Sequence, residues 1–449
     1  MQVSENTISE YLDSNSHKVL RITFPELGLT LDHCSIYSES MVLKEALMER
    51  KKVEFVGCIS SSFEIQVHGI RSKLKGERIE VYLKTDNSDE IPLFHGYVET
   101  DTMQANKDYK KITAYDALYT KGNIDVAEWY NSLTFPITLK DFRDNLFTYL
   151  DILQEEKNLP NDAVVIEKQY EPKSLQARNV IKAICQINGA FGIINRDDKF
   201  EYRILADLFT GEDSYPPLYP PFYPGALAGA GSGGESGRVD FSYYRKVDYE
   251  DFKVKPVERV TIRKSSEEDG VTYGTGTNNY IIQGNMFAYG QSDDVLLNMA
   301  QNIYVNIANV EFQPFAATNS GMPWVEVGVN SAKYVVYDYE ASEQSIARGA
   351  TEDQYTEKTF YIFSRELKGI QALSDSYEAE GEEYQSEFIT DLQTQIDTLK
   401  NDAQQTAQNV VSNYTYSRAE LDEKLQSWYR IVDELPTSYE TGVIYFVRK

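Results

Sequence analysis

Few side chains in this sequence stand at spacings that chemistry requires. Its four histidines, His17, His33, His68 and His95, all fall in the first hundred residues. None has a second histidine at i,i+4 or at another zinc-ligand spacing. His68 and His95 lie in alternating apolar and polar stretches, which predicts packed or hydrogen-bonded strand positions. The acid pairs Glu155-Glu156 and Asp197-Asp198 and the run Glu267-Glu268-Asp269 are of the type that hydrolyses glycosides. They stand at apparent turns in a chain with 70 acidic residues, so solvated loop charge is the simpler reading. The Asp86–Glu90 turn lacks the spacing and the glycine of an EF-hand loop. No G-x-S-x-G elbow, H-E-x-x-H helix or Cys/His signature occurs. The expectation is a protein that is not an enzyme, with no catalytic, metal-binding or cofactor-binding residues and no cofactor.

One segment matches a phosphate-binding fingerprint. Gly229-Ala-Gly231-Ser-Gly-Gly234 has the letters of G-x-G-x-x-G. That motif needs a strand before it and a helix after it, because the helix N-terminus holds the pyrophosphate. Here a Pro/Tyr run, Tyr215 to Pro224, precedes the glycines and favours extended polyproline geometry. The stretch from Asp240 to Tyr244 after them reads as strand. A linker or exposed loop is predicted.

Bulk properties narrow the partners. Lys and Arg total 44 against 70 Asp and Glu in 449 residues, a formal net charge of −26. Such a surface repels phosphate and is a poor partner for a nucleic-acid groove or an anionic membrane. It suits a surface past which DNA must slide without adhering. Cys34, Cys58 and Cys185 form neither a disulfide framework nor a zinc motif and fit folding in a reducing cytosol. The N-terminus lacks a basic-apolar signal region. No run approaches the roughly 18 apolar residues of a membrane span, so no membrane insertion is expected.

The elements that would position any site are mostly strands. After a polar segment, 1–17, residues 18–122 alternate with period two at Leu20, Ile22 and Phe24 and from Phe63 to His68. Further strands follow at Arg78–Leu83, Ile91–Val98 and Lys111–Asp116, with one short helix expected near Met41 to Met48. Residues 123–208 read as an α+β insert. It has a helix over Leu139–Leu153 and a second one capped by Ser174, followed by a hairpin from Phe191 to Leu205. A Pro/Gly-rich linker, 209–237, leads to a second β region, 238–372. Its strands are expected at Phe252–Ile262, Asn279–Gln283, Val310–Phe315, Trp324–Val329, Tyr334–Tyr337 and Lys358–Ser364, with a helix capped by Ser292.

The C-terminal stretch, 373–416, is expected to be a coiled-coil helix. Ile389, Leu392, Ile396, Leu399, Ala403, Thr406 and Val410 recur at steps of three and four, an a/d seam of about three heptads. A helix so polar elsewhere must bury that seam against other chains or on the body. Residues 417–449 begin with a capping box, Ser417 to Glu420, and end in an apolar strand. Val443, Ile444, Tyr445, Phe446 and Val447 of that strand are candidates for docking a partner or a neighbouring subunit.

Several segments together resemble one family. Tyr37–Glu45, Val53–Ile65, Pro92–Val98, Lys111–Leu118, Ile187–Ile194, Glu366–Leu373 and Tyr377–Gly381 are similar to tail proteins of phages and prophages of Gram-positive bacteria. The resemblance spans most of residues 18 to 381 and implies a trimeric baseplate hub. Each subunit would contribute two tail-tube-like β-barrels, and three subunits would ring the distal end of the tail tube. It further implies distal tail, tail-tube and tape-measure proteins as partners, and a fibre or receptor-binding protein at the C-terminus. Phage DNA would pass through the lumen without specific binding. The implied location is the distal tail tip of the virion, assembled in the bacterial host cytoplasm. Many relatives carry a cell-wall hydrolase or fibre domain at the C-terminus; the residues after 381 read as coil, short helix and strand, so a hydrolase is not expected there.

Two other classes of function compete with this reading. A receptor-binding adhesin would stack the tyrosines of 215–223 on cell-wall sugars. A cell-wall glycosidase would use one of the acid pairs.

Overall fold

The computed structural model describes residues 4–13, 15–48, 57–103, 109–168, 171–205, 244–264, 269–329, 331–337, 355–382, 387–389, 429–432 and 444–447. It divides into two units, Met1–Thr398 and Leu399–Lys449. The chain is mainly β, with a large antiparallel sheet and several helices.

In the first unit, helix α1 (Glu5–Leu12) precedes strands β1 (Lys18–Phe24), β2 (Leu29–Leu31), β3 (Val42–Ala46) and β4 (Ser62–His68). β5 (Arg78–Thr85), β6 (Ile91–Met103) and β7 (Tyr109–Tyr115) complete the first β region. The period-two reading holds here. Phe63, Ile65 and Val67 of β4 and Ile79, Val81 and Leu83 of β5 point inward, while intervening polar side chains stay half-exposed.

The insert carries α2 (Ala117–Gly122), α3 (Ala127–Ser132), β8 (Ile137–Thr138), α4 (Leu139–Leu150) and β9 (Val165–Ile166). α5 (Ala177–Asn188) and the hairpin β10 (Phe191–Ile194) and β11 (Phe200–Arg203) follow. Thr138 caps α4 by accepting from the Asp141 amide. Ser174 does not cap α5; its N-cap is Gln176, with no side-chain bond, and Asp125 instead accepts from the Leu175 and Ala127 amides. Gly189 ends α5 at φ 60°, a left-handed geometry that costs glycine no Cβ clash.

The second β region contributes β12 (Tyr244–Tyr249), β13 (Arg259–Arg263), β14 (Val271–Gly274) and β15 (Asn279–Gln283). Helix α6 (Asp293–Ile307), capped as expected by Ser292, precedes β16 (Phe315–Ser320), β17 (Ser331–Tyr337) and β18 (Tyr355–Tyr361). β19 (Ser364–Lys368), β20 (Ser374–Ala379) and β21 (Glu387–Ile389) follow. The principal sheet has eleven strands in the order β12-β16-β20-β19-β3-β4-β7-β6-β5-β1-β2. The two β regions are thus one continuous ladder, joined where β3 pairs with β19 from Val42↔Lys368 to Ala46↔Ser364. Ile36, in the segment after β2, bridges back to Val67 of β4. β14, β13, β15 and β21 form a second, mixed sheet, against which α6 packs.

Asparagines tie the insert to α6 and to the turn after β15. Asn285 donates to the Ala183 carbonyl at 2.9 Å and to Gln186 at 2.6 Å, and Asn306 donates to the Asn188 carbonyl at 2.8 Å. Phe142 of α4 meets Phe287 edge-on at 5.2 Å in the same buried layer.

Four further sequence expectations change. Met41–Met48 is not a helix; its core is β3, whose backbone groups are satisfied by β4 on one side and β19 on the other. Trp324–Val329 forms turns rather than a strand, because its carbonyls accept from buried arginines instead of a neighbouring strand. Over 310–315 there is only a bridge, Phe312 to Val254, and the strand starts at Phe315. The 373–416 stretch begins not as helix but as β20 and β21, since Asp375, Tyr377 and Ala379 keep a buried two-residue alternation.

In the second unit, β22 (Tyr429–Val432) pairs in parallel with β23 (Ile444–Val447).

Candidate functional site

The most organised chemistry in the chain is a buried charge node where β3, β19, β20, the β10–β11 hairpin and the 322–328 turn converge. Arg365 of β19 is its centre. Its guanidinium pairs with Asp375 of β20 through Nε–Oδ1 at 2.9 Å and Nη2–Oδ2 at 2.8 Å. It also donates to Glu45 of β3 at 3.1 Å and to the Met322 and Val325 carbonyls at 2.8 and 2.5 Å. All five of its donors point at acceptors that the fold has already ordered.

Two arginines of the insert complete the node. Arg196, just past β10, donates to the same Glu45 oxygen at 2.9 Å. Arg203, at the end of β11, reaches Glu326 at 2.7 Å, Glu201 at 3.1 Å and the Val327 carbonyl. Asp198, at the hairpin turn, pairs with Arg78 of β5 at 2.8 Å. The Gly192 amide of β10 donates to the Gly57 carbonyl at 3.0 Å. The hairpin is therefore held on the sheet by charge and backbone together.

Burial and charge act against each other here. Burial alone would raise the Glu326 carboxyl, but the guanidinium charges of Arg203 and Arg196 overcome it and hold the group down at about 2. Burial likewise opposes charge on Arg365, and Asp375 with Glu45 outweighs it, so the guanidinium is held above its ordinary value. These buried charges position the strands, the hairpin and the turn that meet there.

The sequence-derived candidates fall elsewhere. Ile389 is the last residue of β21 and pairs with Ile281, so the seam's first position is strand. Leu392, Ile396, Leu399, Val410 and Val443 lie outside the described residues, as do the 209–237 segment and its glycine fingerprint. Ile444, Tyr445, Phe446 and Val447 form β23, already paired on one side to Tyr429–Val432. Of the acid pairs, Asp198 is bound to Arg78 and Glu155 borders a 590 Å³ groove beside Arg143 and Lys157, while Glu267 and Glu268 lie outside the described residues. Among the described residues, the group that could hold a metal is Asp32, His33 and Cys34, all exposed. No helix of the described residues is long and apolar enough to cross a membrane.

The node was missed because buried charge carries no motif, yet alternation marks it. Arg365 shares the inward phase of Leu367, and Asp375 shares that of Tyr377.

No family model and no curated protein matches the sequence. Solved structures similar to this chain include three tail proteins, two of them from prophages. A tail protein from Neisseria meningitidis is 12% identical over 80% of this chain and 95% of that one, with a TM-score of 0.45. The 43 kDa tail protein of a Shewanella oneidensis prophage is 9% identical over 81% and 98%, with a TM-score of 0.48. The prophage tail protein gp18 from Listeria monocytogenes is 10% identical over 86% and 100%, with a TM-score of 0.46.

Proposed function

We propose that this chain is a structural subunit of a bacteriophage tail: a hub that closes the distal end of the tail tube as a homotrimer. It organises tail-tip and fibre proteins for host attachment and lets DNA leave through its lumen. The observation that carries the reading is where the family-like segments meet. Tyr37–Glu45 contains most of β3, Glu366–Leu373 with Tyr377–Gly381 contains most of β19 and half of β20, and Ile187–Ile194 contains β10. Far apart in sequence, they converge on the charge node that fuses two β regions and seats the insert. A hub needs that rigidity, since its subunits must present fixed edges to one another and to the tube. The net charge of −26 supports passage of DNA without adhesion.

The test mixes purified protein separately with host cell walls and with the other tail proteins of the same phage. Binding to tail proteins alone supports the hub. Sedimentation with walls supports an adhesin, and release of soluble sugar supports a glycosidase.

A further inference from the structure

Two buried cysteines face one another across the junction between the first β region and the insert. Cys185 lies on the inner side of α5, and Cys58 lies in the segment leading into β4. Two independent distances bring them together. The backbone bond from Gly192 to Gly57 sets Cys58 one residue from a contact with β10. A Cβ placed at Gly192 would lie 3.1 Å from the Cys185 Sγ, so that sulfur rests over the bare glycine of the same strand. Burial first, and then the neighbouring Cys58, pushes the Cys185 thiol well above its ordinary value. Cys34, the third cysteine, is exposed beside His33.

We propose that Cys58 and Cys185 are an oxidisable pair, whose disulfide staples the first β region to the insert. With hydrogen peroxide as oxidant, one sulfur attacks as thiolate and breaks the O–O bond, becoming a sulfenic acid. The second thiol displaces water from it and forms the S–S bond. Two thiols and one peroxide give one disulfide and two waters. The linkage closes a long loop, so it restricts the unfolded chain more than the folded one. The high thiol pKa makes the step slow at neutral pH and faster as pH rises.

Full-length protein is treated with graded peroxide, quenched with acid, unfolded, alkylated and digested with trypsin without reductant. The expected result is one linked species, two hydrogens lighter than the sum of peptides 53–71 and 183–196. Its yield should rise with dose, and the linked protein should melt higher by on the order of 5 °C. In Cys58→Ser the species should vanish. Full alkylation of both peptides after a dose that oxidises Cys34 completely overturns the proposal, as does a link that involves Cys34. The wild-type map decides the matter even if the variant does not fold.

Discussion

Arg365 and Asp375 sit on adjacent antiparallel strands and share two parallel hydrogen bonds of 2.9 and 2.8 Å, with neither side chain exposed to solvent. Asp375 also accepts from the Met322 amide at 3.2 Å and from the Tyr377 hydroxyl at 3.0 Å. The pair thus fixes β19, β20 and the turn after β16 in one arrangement. Removing one partner strands the other charge in the core. Arg365→Met should cost about 3–5 kcal/mol in urea denaturation, and adding Asp375→Leu should recover part of it. A loss in the double variant equal to the sum of the two single-variant losses would show that the pair is not coupled.

Glu326 predicts an acid-side loss of stability. Its carboxyl is held at about 2 when folded, so the ion pair stabilises fully above the unfolded value near 4.5. That contribution is lost as pH falls from there towards 2, with an upper bound of about 3 kcal/mol. Glu326→Gln should flatten the wild-type slope in that window when unfolding free energy is followed from pH 5 to 2.

Asp116 predicts the opposite slope. Its carboxylate accepts from the Ser61 amide at 2.6 Å and the Leu118 amide at 3.0 Å, at the hinge where β7 passes into the insert. Complete burial pushes its carboxyl up to about 7, against those bonds and the Ser60 hydroxyl. The folded state therefore binds its proton more tightly than the unfolded chain, and stability declines as pH rises from about 4 to 7. Asp116→Asn should abolish that decline in thermal melts across the same range.

The C-terminal seam predicts an association defect. If the proposed coiled-coil seam forms, Ile396→Asp places an unpartnered charge at one of its a positions and should weaken subunit association. An unchanged oligomeric mass by sedimentation equilibrium would remove the seam from the account.

Strand alternation made most of the architecture readable in advance. Phe63, Ile65 and Val67 announced β4, and Ser292 announced the start of α6. What failed was local pattern overridden by long-range pairing. Met41 and Met48 have helical spacing, but Val42–Ala46 lies between two strands, one of them contributed from residues 364–368. Trp324–Val329 looks like a strand by its apolar residues, yet its carbonyls serve arginines that lie up to about 130 positions away. The charge node escaped notice for the same reason. Glu45, Arg196 and Arg365 are unremarkable in sequence and acquire meaning only when distant strands meet.

The most direct test of the hub reading is the mass of the purified chain by light scattering across a range of concentrations. The account predicts a stable species at three times the 51.3 kDa of one chain. A monomer at every concentration would contradict it.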